Sequence, residues 1–406
     1  MSDSFQASNA AAIADALWDS DDFAGAEAAW QRALGEDADD PVALHGLGKL
    51  QLARNALSAA ALLLERALGL LTALDHGAVG EWLPQVQQDL AWCYYRLDRY
   101  DLAAPHLAAL PDGAGLAAQL AAFAGRTPYR MSADVAEIQL PFWGNDPLPI
   151  VPLRFGDREY PFVIDTGSSQ LVIDSAFLAE LSLPRYGMRE VISASGTPTL
   201  IEHTIIPELL LDTVRMADVP AEVMDVRRFA PQLGGLIGTN FLQRFFVDCD
   251  WSNERLTLRP VRQLDPFDHW QRALSAPCFY MDSHILLAET QLNDLTTMGY
   301  LASGMAGASV ACAAHTALQA GLDLNDEAAT RDAVSSGGGQ TLQSAGVPRL
   351  CVGDQCQRDA EALVGLFPDA LAWRYGFNVG AMVGHDFFKA QRWGIDFQAM
   401  RIFFGE

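Results

Sequence analysis

The sequence predicts a multidomain α plus β chain, with an all-helical repeat array over residues 1–127 followed by two all-β lobes over 128–262 and 263–406. Three observations predict it. Ala and Leu recur at helical spacing from about residue 8 to residue 125. Short alternating apolar runs separated by Gly, Pro and Asp take over from Tyr129. The second β-rich stretch then repeats the first at one fixed offset. A chain of 406 residues also exceeds what a single core serves well.

Within the helical stretch, Phe23, Ala26 and Ala33 recur 34 residues later as Leu57, Ala60 and Ala67, and again after a further 43 as Tyr100, Ala103 and Leu110. Small residues are needed where paired helices cross closely. Trp30, Leu64 and Leu107 supply the large apolar neighbour of each alanine. With Leu47-Gly48 and the aspartates before Pro41, the pattern resembles tetratricopeptide repeats and covers about three units. The resemblance implies either a concave surface for a protein partner or a helical stack that only packs against the next domain. A linker, Asp112 to Gly125, ends the array.

The β-rich part carries its own duplication. Leu236-Ile237-Gly238-Thr239-Asn240-Phe241-Leu242 aligns with Met382-Val383-Gly384-His385-Asp386-Phe387-Phe388 at an offset of 146, and the same offset brings Asp250 to Asp396 and Arg255 to Arg401. In the first copy a hairpin, Val151–Phe155 and Tyr160–Ile164, runs into Asp165-Thr166-Gly167-Ser168-Ser169, with Leu236-Ile237-Gly238 some seventy residues later. An apolar strand entering Asp-Thr-Gly, together with the later apolar-apolar-Gly, resembles the retropepsin and pepsin families of aspartic peptidases. That resemblance covers residues 140 to 260 well and the second copy weakly. It implies acid-protease lobes, an extended peptide or protein as substrate, and Asp165 as catalytic carboxylate. It further implies that Thr166 locks two aspartate loops together, that Gly167 allows close backbone approach, and that Ser168 hydrogen-bonds the outer carboxylate oxygen. Ser195 and Gly196, in the small polar stretch from Ser193 to Thr197, are the candidate tip of a substrate-covering flap, the alternative being an ordinary surface turn.

Such enzymes hydrolyse a peptide bond with two carboxyls. One takes a proton from water while the other protonates the carbonyl oxygen. Two carboxyls about 3 Å apart share one proton because both cannot ionise. The second copy offers no second Asp-Thr-Gly. Aligning Phe162–Gly167 with Tyr300–Met305 places Ser303 opposite Asp165 and Met305 where a glycine belongs. Three readings follow. Two chains could pair as a homodimer, each giving one Asp165 to an aspartic-type endopeptidase. The copies within one chain could pair instead, as a catalytically impaired domain that binds extended peptides. In the third reading the lobes are a platform for the helical adaptor. Outside that family pattern, Asp165 would simply brace a turn.

Composition bounds the rest. With 27 basic against 51 acidic side chains, nucleic acid and anionic membranes are not expected as partners. The longest apolar stretch, Leu57 to Leu74, is interrupted by Glu65 and Arg66 and is too polar to span a bilayer. The first twenty residues lack the pattern of a secretory signal. Six cysteines without a CxxC pair suit a reducing cytoplasm. Cys351 and Cys356, set opposite each other by a Gly-Asp turn, are therefore expected as thiols, with a bridge as the alternative. Eight scattered histidines give no metal-ligand spacing, and no cofactor is expected. His385-Asp386 reads as a turn, and Gly337-Gly338-Gly339 is too short for a phosphate loop.

Overall fold

The computed structural model describes residues 9–74, 82–144, 148–193, 196–228, 230–261, 270, 273–326, 329–335, 338–367 and 372–405. They divide into two compact units. One is built on the chain up to Gly125 and takes in residues 280–283 and 375–378; the other holds the remainder.

The first unit is helical: α1 Asn9–Asp19, α2 Phe23–Glu36, α3 Pro41–Ala53, α4 Leu57–Thr72, α5 Trp82–Arg96, α6 Tyr100–Ala108 and α7 Ala114–Ala121. Two of its helix starts, those of α2 and α3, are written in side chains that bind free helix N–H groups. The Asp22 carboxylate accepts from Gly25 N, and that of Asp40, ahead of Pro41, accepts from Val42 N and Ala43 N. The recurring alanines Ala26, Ala60 and Ala103 are fully buried. Close crossing is enforced in α3, where a Cβ on Gly46 would lie 2.1 Å from the Trp30 ring and one on Gly48 2.8 Å from Leu64.

The turns show the period more plainly than the alanines do. Asp21, Asn55 and Asp98, spaced by the same 34 and 43 residues, all adopt left-handed backbone with φ of 66°, 57° and 58°. After each of them an N–H reaches back to close the helix end, Asp22 N to Leu17 O, Ala56 N to Gln51 O and Arg99 N to Tyr94 O. Short polar side chains tolerate that conformation better than other residues with a Cβ. Among the described residues no helix is long and apolar enough to cross a membrane.

In the second unit the described strands form an eight-stranded and a thirteen-stranded sheet. Each sheet contains one parallel pair that matters for the site. Strand Arg158–Ile164 lies parallel to Gly235–Ile237, with Ile164 beside Ile237. Strand Leu295–Leu301 lies parallel to Val379–Val383, with Leu301 beside Val383. The ends of these strands nearest the site are apolar and covered; Phe162, Ile164, Leu301 and Val383 are fully buried. The hairpins Phe245–Asp250 with Arg255–Pro260 and Arg392–Asp396 with Arg401–Gly405 join side by side through Val247 opposite Ile395 and Cys249 opposite Trp393.

One expectation is corrected here. Cys351 and Cys356 are disulfide-bonded rather than reduced. The two-residue Gly353-Asp354 turn fixes the register so that they are direct cross-strand partners, with Cα atoms 4.1 Å apart. The other four cysteines are buried and free.

Candidate active site

Asp165 sits where strand Arg158–Ile164 ends. Its N–H donates to Ile237 O at 3.1 Å, which carries the parallel ladder one step past the strand. The partly exposed side chain turns back on its own loop, and Oδ1 accepts from Gly167 N at 2.9 Å and from Gly304 N at 3.2 Å. The second donor comes from the other half of the same unit. A Cβ on Gly304 would stand 2.4 Å from the Asp165 carboxyl carbon, so only glycine lets that backbone come so near.

The two loops lock through a reciprocal set of four hydrogen bonds. Thr166 Oγ1 donates to Leu301 O (2.9 Å) and accepts from Ser303 N (3.0 Å). Ser303 Oγ donates to Ile164 O (2.7 Å) and accepts from Thr166 N (3.0 Å). Both side chains are buried, at 1% and 0% exposure, so each bond replaces one to water that is out of reach. Thr166 and Ser303 are thus counterparts in the contact between the two loops.

This fixes an alignment one residue away from the expected one. Ile164-Asp165-Thr166-Gly167 corresponds to Leu301-Ala302-Ser303-Gly304. Ala302 N donates to Val383 O as Asp165 N does to Ile237 O, and Met305 N donates to Ala302 O as Ser168 N does to Asp165 O. Ser303 does not face Asp165; Ala302 takes the place of the second acid, and Gly304 rather than Met305 is the close-packing position. A Cβ on Gly167 would come within 2.8 Å of the Ala302 methyl. The neighbour of the Asp165 loop is thus a loop of its own chain, which supplies no carboxyl.

Ser168 is a second correction. Its hydroxyl donates to Gln170 O at 2.8 Å rather than to the carboxylate, and it shapes the turn that leads into the next strand. Tyr300 was not picked out from the sequence, yet its phenol donates to Gly167 O at 2.7 Å and pins the loop from the opposite half. Its signal was faint, an aromatic two residues before a small-Ser-Gly triplet. Asn240 braces the same turn from behind, accepting from Leu171 N and donating to the Tyr129 hydroxyl.

Of the flap candidates, Gly196 lies at the tip of the hairpin Met188–Ile192 with Pro198–Leu211, with φ of +79° and its N–H on Ser193 O, while Ser195 lies outside the described residues. His385 begins a short helix, where a turn was expected from sequence, and Asp386 pairs with Lys389 at 2.9 Å.

Burial pushes the Asp165 carboxyl above its ordinary value of 3.8, opposed by the N–H groups of Gly167, Gly304 and Ser168. A raised value means the folded chain prefers the neutral acid. The stability this group contributes is fully present below 3.8 and is lost as pH rises through the folded value. Asp165→Asn, neutral throughout, is therefore expected to match or exceed wild-type thermal stability at pH 7, with the gap closing toward pH 3. Melting curves across that range check it; a variant less stable at pH 7 but not at pH 3 would mean the ionised form is the favoured one.

The strand-loop geometry around Asp165-Thr166-Gly167 defines an aspartyl protease-like domain. In agreement, the family profile described as "Aspartyl protease" matches residues 151–241. None of the curated proteins matches the chain. Among solved structures, basic 7S globulin from soybean is similar with a TM-score of 0.37 and 11% identity, over 67% of this chain and 95% of its own. A retropepsin-like aspartic protease from Rickettsia conorii is similar with a TM-score of 0.25 and 18% identity, over 31% of this chain and 100% of its own.

Proposed function

We propose that the β unit is an acid-protease-like pair of lobes that binds extended peptide and hydrolyses it very weakly or not at all. One observation carries this reading: the loop that meets Asp165 brings Ala302, not a carboxyl, to the second-acid position, while Ser303 and Gly304 keep the supporting bonds. A lone carboxyl cannot be base toward water and acid toward the carbonyl at once, and removing one such partner costs about 10²–10⁴-fold in that step. The homodimeric endopeptidase needs a second Asp165 at the same spot. That spot is filled from within the chain, which favours the single-chain binder. Extended peptide is the ligand class because a groove between β lobes pairs with backbone as an added strand would. The helical unit, with its repeated turns, is assigned as a tetratricopeptide-like module for a protein partner.

The test pairs cleavage with binding. A quenched fluorescent peptide library is incubated with the purified chain from pH 3 to pH 8, and peptide capture is read by anisotropy. Binding without turnover is the expected result. Turnover by the wild type that disappears in Asp165→Asn would overturn the proposal in favour of the peptidase.

A further inference from the structure

The hairpin Met188–Ile192 with Pro198–Leu211 has two unlike faces. On one, Arg189 bonds Glu222 at 3.0 Å and His203 is fully buried. On the other, Met188, Ile192 and Leu200 are 62%, 47% and 63% exposed, three large apolar side chains grouped on one patch. Glu190 stands between Met188 and Ile192 and directly across from Leu200; it is exposed and, among the described residues, has no ion pair.

Strand Met188–Ile192 is also the last strand of its sheet. Antiparallel ladders bond alternate residues to the partner strand. His203 N donates to Gly187 O and Ser193 N to Thr197 O, so the odd-numbered positions face Pro198–Leu211. The N–H and C=O groups of Met188, Glu190 and Ile192 therefore point off the sheet. Among the described residues, those whose backbone is unused by the sheet are the same ones whose side chains are exposed. A terminal strand of the thirteen-stranded sheet, Thr330–Ser335, shows less: Val334 is exposed, but Asp332 is already bonded to the Thr341 hydroxyl.

We propose that this edge is a docking site for an extended protein segment that adds as a further strand and carries Lys or Arg opposite Glu190 with apolar residues two positions to either side. The charge decides the occupant. A second copy pairing antiparallel about Glu190 would set two glutamates face to face, and like charges directly opposite destabilise such a pair. A basic residue there is attractive, and its apolar neighbours cover Met188 and Ile192.

The test uses the full chain and two labelled heptapeptides with Val at positions 2 and 6, Thr at the other flanking positions and either Lys or Glu at position 4. The wild type is expected to bind the Lys peptide about tenfold tighter, the size of exchanging an attractive for a repulsive cross-strand pair. Glu190→Lys should invert the preference. Glu190→Pro should abolish binding of both, because it removes an outward N–H that the hairpin does not use and proline is tolerated at sheet edges. Lys-peptide binding that survives both Glu190 variants unchanged, or absence of binding by the wild type, would overturn the proposal. So would a dimer in sedimentation that Glu190→Pro dissociates, since the edge would then belong to a second copy.

Discussion

Ala302→Asp is expected to gain peptide hydrolysis at acid pH, by at least about 10²-fold over the unsubstituted chain. The substitution writes Asp-Ser-Gly into a loop that already has everything else. Ser303 holds the cross-loop bonds, Gly304 keeps the backbone near Asp165, and Ala302 sits one residue past a strand in the same relation to Val383 as Asp165 to Ile237. Two carboxyls so placed share one proton, so the rate should fall on both sides of an acid optimum, as one form becomes doubly protonated and the other doubly ionised. Asp165→Asn in that background should return activity to the starting level, and Ala302→Asn should never acquire it. A folded Ala302→Asp protein that leaves every peptide of a broad library intact would show that the groove, and not just the missing acid, is unsuited to catalysis.

Thr166→Val is expected to cost about 2–4 kcal/mol, because it strands two buried backbone groups, Leu301 O and Ser303 N, at about 1–3 kcal/mol each before relaxation. Ser303→Ala strands Ile164 O and Thr166 N and should cost a similar amount. Together they should cost less than the sum, since either one already loosens the shared contact. Thr166→Ser keeps the hydroxyl and should stay within about 1 kcal/mol of wild type. Urea unfolding of the four proteins measures this. If Thr166→Val is no worse than Thr166→Ser, the four bonds do not hold the loops together.

The helical stretch was legible because its signal is local. Alanines at one period and aspartates at the turns mark spacing along the chain, and Asp21, Asn55 and Asp98 repeat it in backbone conformation. Asp165, Thr166 and Gly167 were equally legible, since each is needed for what its own loop does. The second loop was misaligned by one residue because nothing local marks Ala302. Matching apolar side chains in Tyr300-Leu301 to Val163-Ile164 ignored the stricter constraint, that a glycine must lie two residues past the acid position so that its N–H can reach the carboxylate. Gly304 was the decisive letter. Ser168 was misassigned because a serine hydroxyl takes whichever acceptor the turn brings nearest, here Gln170 O. The Cys351–Cys356 bridge was left open by composition and decided by a two-residue turn.

The four-bond contact between the Thr166 and Ser303 loops has a consequence for how such a chain can vary. In an assembly of identical copies every substitution is entered twice, so an acid lost on one side is lost on both. Here the two sides are spelled by separate stretches of one polypeptide. One can give up its carboxyl and keep its grip while the other keeps both, which is the asymmetry that Ala302 and Asp165 display.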